Sequence, residues 1–167
     1  TSEQWQAIYS IATRQGILAF TYDGVKSLPE ALQPRLDIRV QWAYNVSHIE
    51  KFYERQLSVA QAIVVTFSQS NIRTLILKGL SNASFYPKPS HRQSGDIDIY
   101  LMGDFERGNE IVRKKGGKVK HDYFVHSEFV IKGINIENHL HIVNPKVNST
   151  GHYINEQLLQ LAEQSVV

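Results

Sequence analysis

The sequence predicts an α+β fold, with a helical N-terminal half (residues 1–70) packed on a small mixed β-sheet formed by residues 71–167. The first half carries apolar residues three and four positions apart over a long stretch after Pro34, which is the spacing of one helix face. The second half carries apolar residues at every second position around Asp96 and Ile134, which is the spacing of strands. No linker-like stretch separates the halves, so we expect a single domain.

The helical half contains three predicted helices. Thr1 and Gln4 form a capping box before the first helix, which ends near Gly16. A short second helix is predicted over residues 17–27, and one long helix over residues 36–69. The aromatic side chains of the long helix are interpreted as core packing.

The second half alternates between strands, turns and helices. Its predicted elements are a strand at 74–77, a helical turn from Lys78-Gly79 to Phe85, a loop over 86–95, a strand at Asp96, a helix capped by Asp104 and ending at Gly116-Gly117, strands at 118–125, 127–131 and 134–142 with a tight turn at Lys132-Gly133, and a helix over 154–165.

The composition excludes several classes of protein. The net charge of +2 is too small to argue for binding of nucleic acid or of a membrane by bulk electrostatics, and no clear nucleic-acid patch is visible. The absence of cysteine excludes disulfides, thiolate metal sites and cysteine nucleophiles. The longest apolar stretch, residues 62–67, is too short to cross a bilayer, and the first residues lack a signal-peptide pattern, so we expect a cytoplasmic protein. Nothing in the sequence predicts an oligomeric state.

Two aspartates on one predicted strand give the strongest chemical signal. Asp96 and Asp98 alternate with Ile97 and Ile99, so both carboxylates lie on the same strand face, roughly 7 Å apart along the chain. They repel each other unless a cation lies nearby, and divalent cations prefer such oxygen ligands. The alternative is a polar strand face open to water.

A later strand adds a third carboxylate. Residues 134–142 alternate in the same way, with Glu137, His139 and His141 on one face. If this strand lies beside the Asp96 strand, Glu137 joins the two aspartates in a site suited to two Mg²⁺ ions that handle phosphates. An exposed polar face is again the alternative.

Basic and small residues upstream fit phosphate binding. A strand ends at Lys78, turns at Gly79 and continues into a helical segment that contains Ser81. Such a turn allows backbone N–H groups to approach a phosphate, and Lys78 or Ser81 can add a direct contact. Arg92 precedes Asp96 by four residues and can hold a phosphate bidentately, through two parallel N–H···O bonds of its guanidinium group. A plain strand-to-helix connection and a surface salt bridge of Arg92 are the alternatives.

The segment "LILKGLSNASFYPKPSHRQSGDIDIY", followed by "GINIENH", resembles a family of nucleotidyltransferases in the DNA polymerase β-like superfamily. That family shows a Leu-Lys-Gly turn, a Tyr-Pro-x-Pro-x-x-Arg loop, a Gly-Asp-Ile-Asp strand and a later Glu-x-His strand. The N-terminal "ATRQGILAFTYDGV" is similar to its opening helices. The resemblance touches most of the chain and is most specific from Leu75 to Asp98.

The resemblance implies a sheet of nucleotidyltransferase type and a role for each matching residue. It implies Asp96, Asp98 and Glu137 as catalytic metal ligands, and His139 as the histidine of the Glu-x-His pattern. Gly79 matches the glycine turn of the superfamily, although Leu80 follows it where many relatives carry Gly or Ser.

The implied reaction transfers a nucleoside monophosphate from an NTP, with ATP the expected one, to a hydroxyl of an unknown acceptor with two Mg²⁺ or Mn²⁺ ions. Lys78, Gly79, Ser81 and Arg92 bind the phosphates in this interpretation. The family continues with a helical C-terminal part that this sequence does not show.

Two other interpretations stay open at the level of sequence. His139 and His141 with Glu137, completed by His121 or His126, could bind a transition metal in a different class of enzyme. Alternatively, the chain is a nucleotidyltransferase-like module that binds a nucleotide, or a partner protein as antitoxin-like relatives do, without turnover.

Overall fold

The computed structural model describes residues 1–122, 125–146 and 149–164. The predicted α+β class is confirmed. The described residues form six α-helices and a five-stranded sheet. The helices are α1 (Ser2–Arg14), α2 (Leu18–Lys26), α3 (Leu36–Ser68), α4 (Lys78–Asn82), α5 (Phe105–Lys114) and α6 (Ser149–Gln164). The strands are β1 (Leu75–Ile76), β2 (Asp96–Tyr100), β3 (Lys120–Asp122), β4 (His126–Ile131) and β5 (Ile134–His139).

The chain divides into two compact units. The first consists of Thr1–Leu57 and Asn82–Ser94, and the second of Ser58–Ser81 and Gly95–Val167. The helix α3 contributes to both units, since the division falls between Leu57 and Ser58. Among the described residues, no helix is long and apolar enough to cross a membrane.

The first unit is built around Trp42. Its indole is fully buried and donates a hydrogen bond to the Leu18 carbonyl at 3.0 Å, which satisfies its one polar atom. Tyr9 meets the indole edge-on at 5.3 Å between ring centroids, and Tyr22 stacks on it at 6.0 Å. The predicted capping box of Thr1 and Gln4 is present at the start of α1. These contacts confirm the predicted core packing for Trp42. The prediction is wrong for Tyr44, which is 64% exposed, and Phe52 and Tyr53 are only partly buried.

A buried histidine anchors the loop that precedes β2 to two helices of the first unit. His91 is 2% exposed, and its Nδ1 lies 2.6 Å from Asp23 Oδ2 on α2. Its Nε2 lies 3.0 Å from Glu50 Oε1 on α3, and Lys88 pairs with the same carboxylate. The Lys88 and His91 hydrogen bonds hold the pKa of Glu50 below its ordinary value. Both ring nitrogens lie within hydrogen-bond distance of a carboxylate, so the buried ring ties this loop to α2 and α3.

The sheet of the second unit has the strand order β1-β2-β5-β4-β3. The strands β2 and β5 are parallel, whereas the other neighbours pair antiparallel. One face of the sheet forms the core, where Ile97, Ile99, Ile134 and Ile136 are fully buried. Period-two alternation then places Asp96, Asp98, Glu137 and His139 on the opposite face.

The hairpin between β4 and β5 has the predicted two-residue turn. Lys132 and Gly133 have φ angles of 49° and 78°, as a type I′ turn requires. The turn makes Ile131 and Ile134 register partners, and every cross-strand pair of the hairpin follows from that one.

Some predicted boundaries are wrong by a few residues. The strand β5 ends at His139 rather than residue 142. His139 pairs with Tyr100, the last residue of β2, and with His126, the first residue of β4, so neither neighbouring strand extends beyond it. The helix α6 begins at Ser149 rather than near residue 154. Of the strand predicted over 118–125, residues 120–122 are confirmed, and residues 123 and 124 lie outside the described part. Residue 165, where the last helix was predicted to end, also lies outside it.

Asp104 stands just before α5, as predicted, but its side chain makes no capping hydrogen bond. Its carboxylate pairs instead with Arg107, 3.5 Å away. The helix α5 ends at Lys114, close to the predicted end at Gly116-Gly117. Gly116 has a φ of +84°, which is the left-handed conformation common after a helix end.

Candidate functional site

One face of the sheet carries polar and ionisable side chains from three adjacent strands. We call it the polar face, and its members are Asp96 and Asp98 of β2, Asn135, Glu137 and His139 of β5, and His126 and Glu128 of β4. The register places Asp98 beside Glu137, and Glu137 beside Glu128. The predicted pairing of the Asp96 strand with the Glu137 strand is confirmed.

Asp98 is the buried centre of the polar face. It is 4% exposed, and its Oδ1 accepts hydrogen bonds from His139 Nε2 at 2.8 Å and from Lys78 Nζ at 2.9 Å. The hydrogen bond from His139, together with Lys78, outweighs desolvation and lowers the pKa of Asp98 to about 2. Asp98 is therefore a carboxylate over the whole physiological pH range.

Glu137 links two groups of possible metal ligands. Its Oε2 lies 3.4 Å from His139 Nε2, and its Oε1 lies 4.0 Å from His126 Nε2. Ligand atoms of Asp98, Glu137 and His139 lie within 4.8 Å of one another, and so do those of His126, Glu128 and Glu137. Such mixed oxygen and nitrogen sets are typical of sites for divalent cations.

Asp96 lies at the start of β2, two residues before Asp98 and on the same face. Its register partner is Asn135, and it is half-buried. Among the described residues, neither of the two close groups includes Asp96. The structure thus brings Asp98, Glu137 and His139 together, with Asp96 next along the strand.

The Lys78-Gly79 turn is more distorted than the sequence predicts. Lys78 and Gly79 have φ angles of 26° and 28°, and Gly79 interrupts the five-residue helix α4 with a ψ of −103°. The Leu77 N–H donates to the Asp98 carbonyl at 2.8 Å, which fixes the turn beside β2. The Lys78 side chain is 60% exposed, so its ammonium reaches Asp98 from the solvent side.

Ser81 and Arg92, the other two side chains predicted to bind phosphate, each contact their own local neighbours. The Ser81 hydroxyl donates to the Lys78 carbonyl at 2.8 Å, a bond within the same helical turn. Arg92 belongs to the first unit and follows the short 3₁₀ turn Pro89–His91. It lines a cleft of about 290 Å³ with aromatic side chains of α3, Phe52 and Tyr53. Phosphate binding by these residues stays a prediction.

Sequence reasoning missed two features of the polar face. It did not pair Lys78 with Asp98, and it did not place Glu128 on the same face as Glu137. His126 was considered only as one of two histidines that could complete a transition-metal set with Glu137, and it lies 4.0 Å from that carboxylate. A signal for Glu128 exists. Once Lys132 and Gly133 are taken as a two-residue turn, counting outwards pairs Glu128 with Glu137.

The fold and the polar face define a domain of nucleotidyltransferase type: a small mixed sheet with an Asp-x-Asp strand beside a parallel strand that carries a third carboxylate. Over residues 1–166 the chain matches the family described as "Uncharacterised nucleotidyltransferase" and belongs to it. Comparison with curated proteins and with solved structures found no match. The family implies an NTP substrate and a divalent metal.

Proposed function

We propose that this protein is a metal-dependent nucleotidyltransferase that moves a nucleoside monophosphate from an NTP, with ATP the expected one, to a hydroxyl group of an acceptor. The observation that supports the proposal most strongly is the convergence of Asp98, Glu137 and His139 on neighbouring parallel strands. Membership of a nucleotidyltransferase family supports the same reaction class.

The polar face fits divalent cations. Asp98 is ionised, and Glu137, on the neighbouring strand, points to the same side of the sheet. We propose that Asp96, Asp98 and Glu137 hold two Mg²⁺ or Mn²⁺ ions, with His139 beside them. When bound, such ions supply Lewis-acid stabilisation of the charge that develops on the phosphates.

The reaction breaks one bond and forms one. The acceptor oxygen attacks the α-phosphorus, the bond from that phosphorus to the oxygen bridging to the β-phosphate breaks, and pyrophosphate leaves with the bond's electron pair. Glu137, which is less buried than Asp98, accepts the proton of the acceptor hydroxyl in this proposal.

The remaining residues orient and neutralise charge. His139 donates to Asp98 Oδ1 and holds that carboxylate in one orientation. The exposed Lys78 side chain can exchange its contact with Asp98 for one with a phosphate of the substrate. The Gly79 turn, Ser81 and Arg92 complete the proposed phosphate contacts.

Thermal unfolding with each of the four NTPs, with and without Mg²⁺, tests the proposal. A ligand at a hundred times its dissociation constant adds about 2.7 kcal/mol to the free energy of unfolding, which raises Tm by several degrees. We expect a shift in wild type that needs both metal and NTP and that Asp98→Asn abolishes. Asp104→Asn removes a carboxylate elsewhere in the same unit and should leave the shift unchanged.

Turnover is then measured as release of pyrophosphate with candidate hydroxyl acceptors. The absence of any NTP-dependent shift would contradict the proposal. A shift without turnover on any acceptor would favour a nucleotide-binding module over an enzyme.

A further inference from the structure

The hairpin of β4 and β5 carries a second group of possible metal ligands, on the side of Glu137 away from Asp98. His126 Nε2 lies 3.2 Å from Glu128 Oε1 and 4.0 Å from Glu137 Oε1. One ligand atom from each of the three residues falls within a 4.8 Å group. All three positions lie on regular strands of one hairpin, so the backbone fixes their spacing.

The register of this hairpin places two carboxylates side by side. Glu128 and Glu137 are direct cross-strand partners on one face, an arrangement of like charges that destabilises a sheet unless a cation compensates it. The His126 ring faces both carboxylates through Nε2. Its other nitrogen, Nδ1, is buried and has no hydrogen-bond partner among the described residues. Nε2, which lies 3.2 Å from Glu128 Oε1 and 4.0 Å from Glu137 Oε1, is the ring nitrogen that could share a cation with the two carboxylates.

We propose that His126, Glu128 and Glu137 form a binding site for a divalent transition metal, with Zn²⁺ as the preferred ion. An imidazole nitrogen beside two carboxylate oxygens favours a transition metal such as zinc, whereas magnesium prefers oxygen ligands alone. Zinc also binds a given nitrogen and oxygen site more tightly than manganese or iron.

The geometry leaves this site open to entry. His126 and Glu137 side chains are 17% and 20% exposed, and Glu128 is 41% exposed at the solvent side. Three protein ligands leave a fourth tetrahedral position for water. The site goes beyond the proposed nucleotide transfer, because neither His126 nor Glu128 takes part in that reaction; only Glu137 is common to both.

Cobalt titration of the full chain tests the site. Co²⁺ substitutes for Zn²⁺ and has visible absorption bands that report coordination by nitrogen and oxygen. We expect wild type, freed of metal with a chelator, to bind Co²⁺ at this site and to release it when Zn²⁺ is added. His126→Gln and Glu128→Gln should each weaken Co²⁺ binding by about tenfold or more.

A matched control is available on α6. His152 Nε2 lies 3.3 Å from Glu156 Oε1, also a histidine–carboxylate pair, but both side chains are more than half exposed. His152→Gln should leave Co²⁺ binding unchanged. Far-UV circular dichroism of each variant checks folding, and Glu128→Gln, at the exposed position, keeps the test valid if His126→Gln does not fold.

The outcomes separate this site from the proposed active site. Loss of Co²⁺ binding in His126→Gln and Glu128→Gln, with retention in Asp98→Asn, supports the proposal. Equal Co²⁺ binding in wild type and both hairpin variants overturns it, as does binding that only Asp98→Asn removes. Because the readout is metal binding, a protein that shows no NTP-dependent shift can still bind Co²⁺ here, and the two proposals fail independently.

Discussion

His139 donates a hydrogen bond to the buried carboxylate of Asp98 across two parallel strands, with 2.8 Å between His139 Nε2 and Asp98 Oδ1. The same oxygen accepts from Lys78 Nζ at 2.9 Å. Under the proposed function, a metal ion bound through this oxygen would have to compete with the Lys78 ammonium for it.

This competition predicts that Lys78→Met binds divalent cations more tightly than wild type. Removing a unit charge 2.9 Å from the shared oxygen is worth on the order of 1 kcal/mol even in a solvent-exposed setting, so Mn²⁺ affinity should rise several-fold. Electron paramagnetic resonance of free Mn²⁺ measures it directly. Lys114→Met, at an exposed position of α5, is the control.

Lys78→Met should also bind NTP more weakly than wild type in the presence of saturating Mg²⁺. In wild type, a bound metal ion frees the Lys78 ammonium from Asp98, so that it can contact a phosphate, and the variant lacks this contact. Opposite changes in metal and nucleotide affinity are the signature of the two contacts. A fall in both affinities would contradict the competition and indicate that Lys78 only supports the turn.

The low pKa of Asp98 predicts a pH-dependent contribution to stability. The His139 hydrogen bond, with Lys78, holds the pKa of Asp98 at about 2 in the folded protein, below its ordinary value of 3.8. The folded state therefore binds protons less readily than the unfolded one, and stability rises with pH. The contribution is fully present above the ordinary value and is lost as pH falls towards 2.

Urea denaturation of wild type and Asp98→Asn across acidic pH measures this contribution. Wild type should be the more stable protein at about pH 5 and above, and the difference should shrink as pH falls to about 2. Asp104→Asn should show no such trend relative to wild type if the effect belongs to Asp98. A difference that is independent of pH would contradict the assigned cause.

The strands of the polar face were predictable because their sequence alternates. Asp98 and Glu137 follow the period of two, and the parallel pairing of their strands confirms that they are neighbours. Asn138 was not anticipated as part of the core. It lies at a core-facing position, fully buried, and donates to the Asn109 side chain at 3.1 Å. A polar residue in the core depends on a partner from another element, which a local pattern does not contain.

Long-range partners account for the other differences as well. The sequence around His91 is that of an ordinary loop, but in the first unit His91 is buried between Asp23 and Glu50, which lie far away in sequence. The Lys78–Asp98 contact arises because Leu77 bonds to the backbone of β2, which the alternation of β2 alone does not predict. Local spacing thus predicted which faces carry polar residues, and the fold determined which of them pair.

The buried position of His91 predicts a marked loss of stability in His91→Ala. The substitution removes the hydrogen bonds between the buried ring and the Asp23 and Glu50 carboxylates, and a hydrogen bond to a charged group contributes about 1.5–3 kcal/mol. Urea denaturation measures the loss. His48→Ala, at an exposed position in the same unit, should change stability much less. Equal effects would show that the His91 bonds contribute nothing beyond those of a surface histidine.

Alanine substitutions at two helical glycines should change the free energy of unfolding in opposite directions. In Gly108→Ala the new Cβ would stand 2.1 Å from Leu101 Cδ1, so α5 or the buried Leu101 must move, at about 1–3 kcal/mol. In Gly24→Ala the Cβ meets no atom within 4 Å, and the helix gains about 0.5–1 kcal/mol from the better helix former. Thermal unfolding compares both variants with wild type. A Gly108→Ala protein as stable as wild type would contradict the close packing of α5 on Leu101.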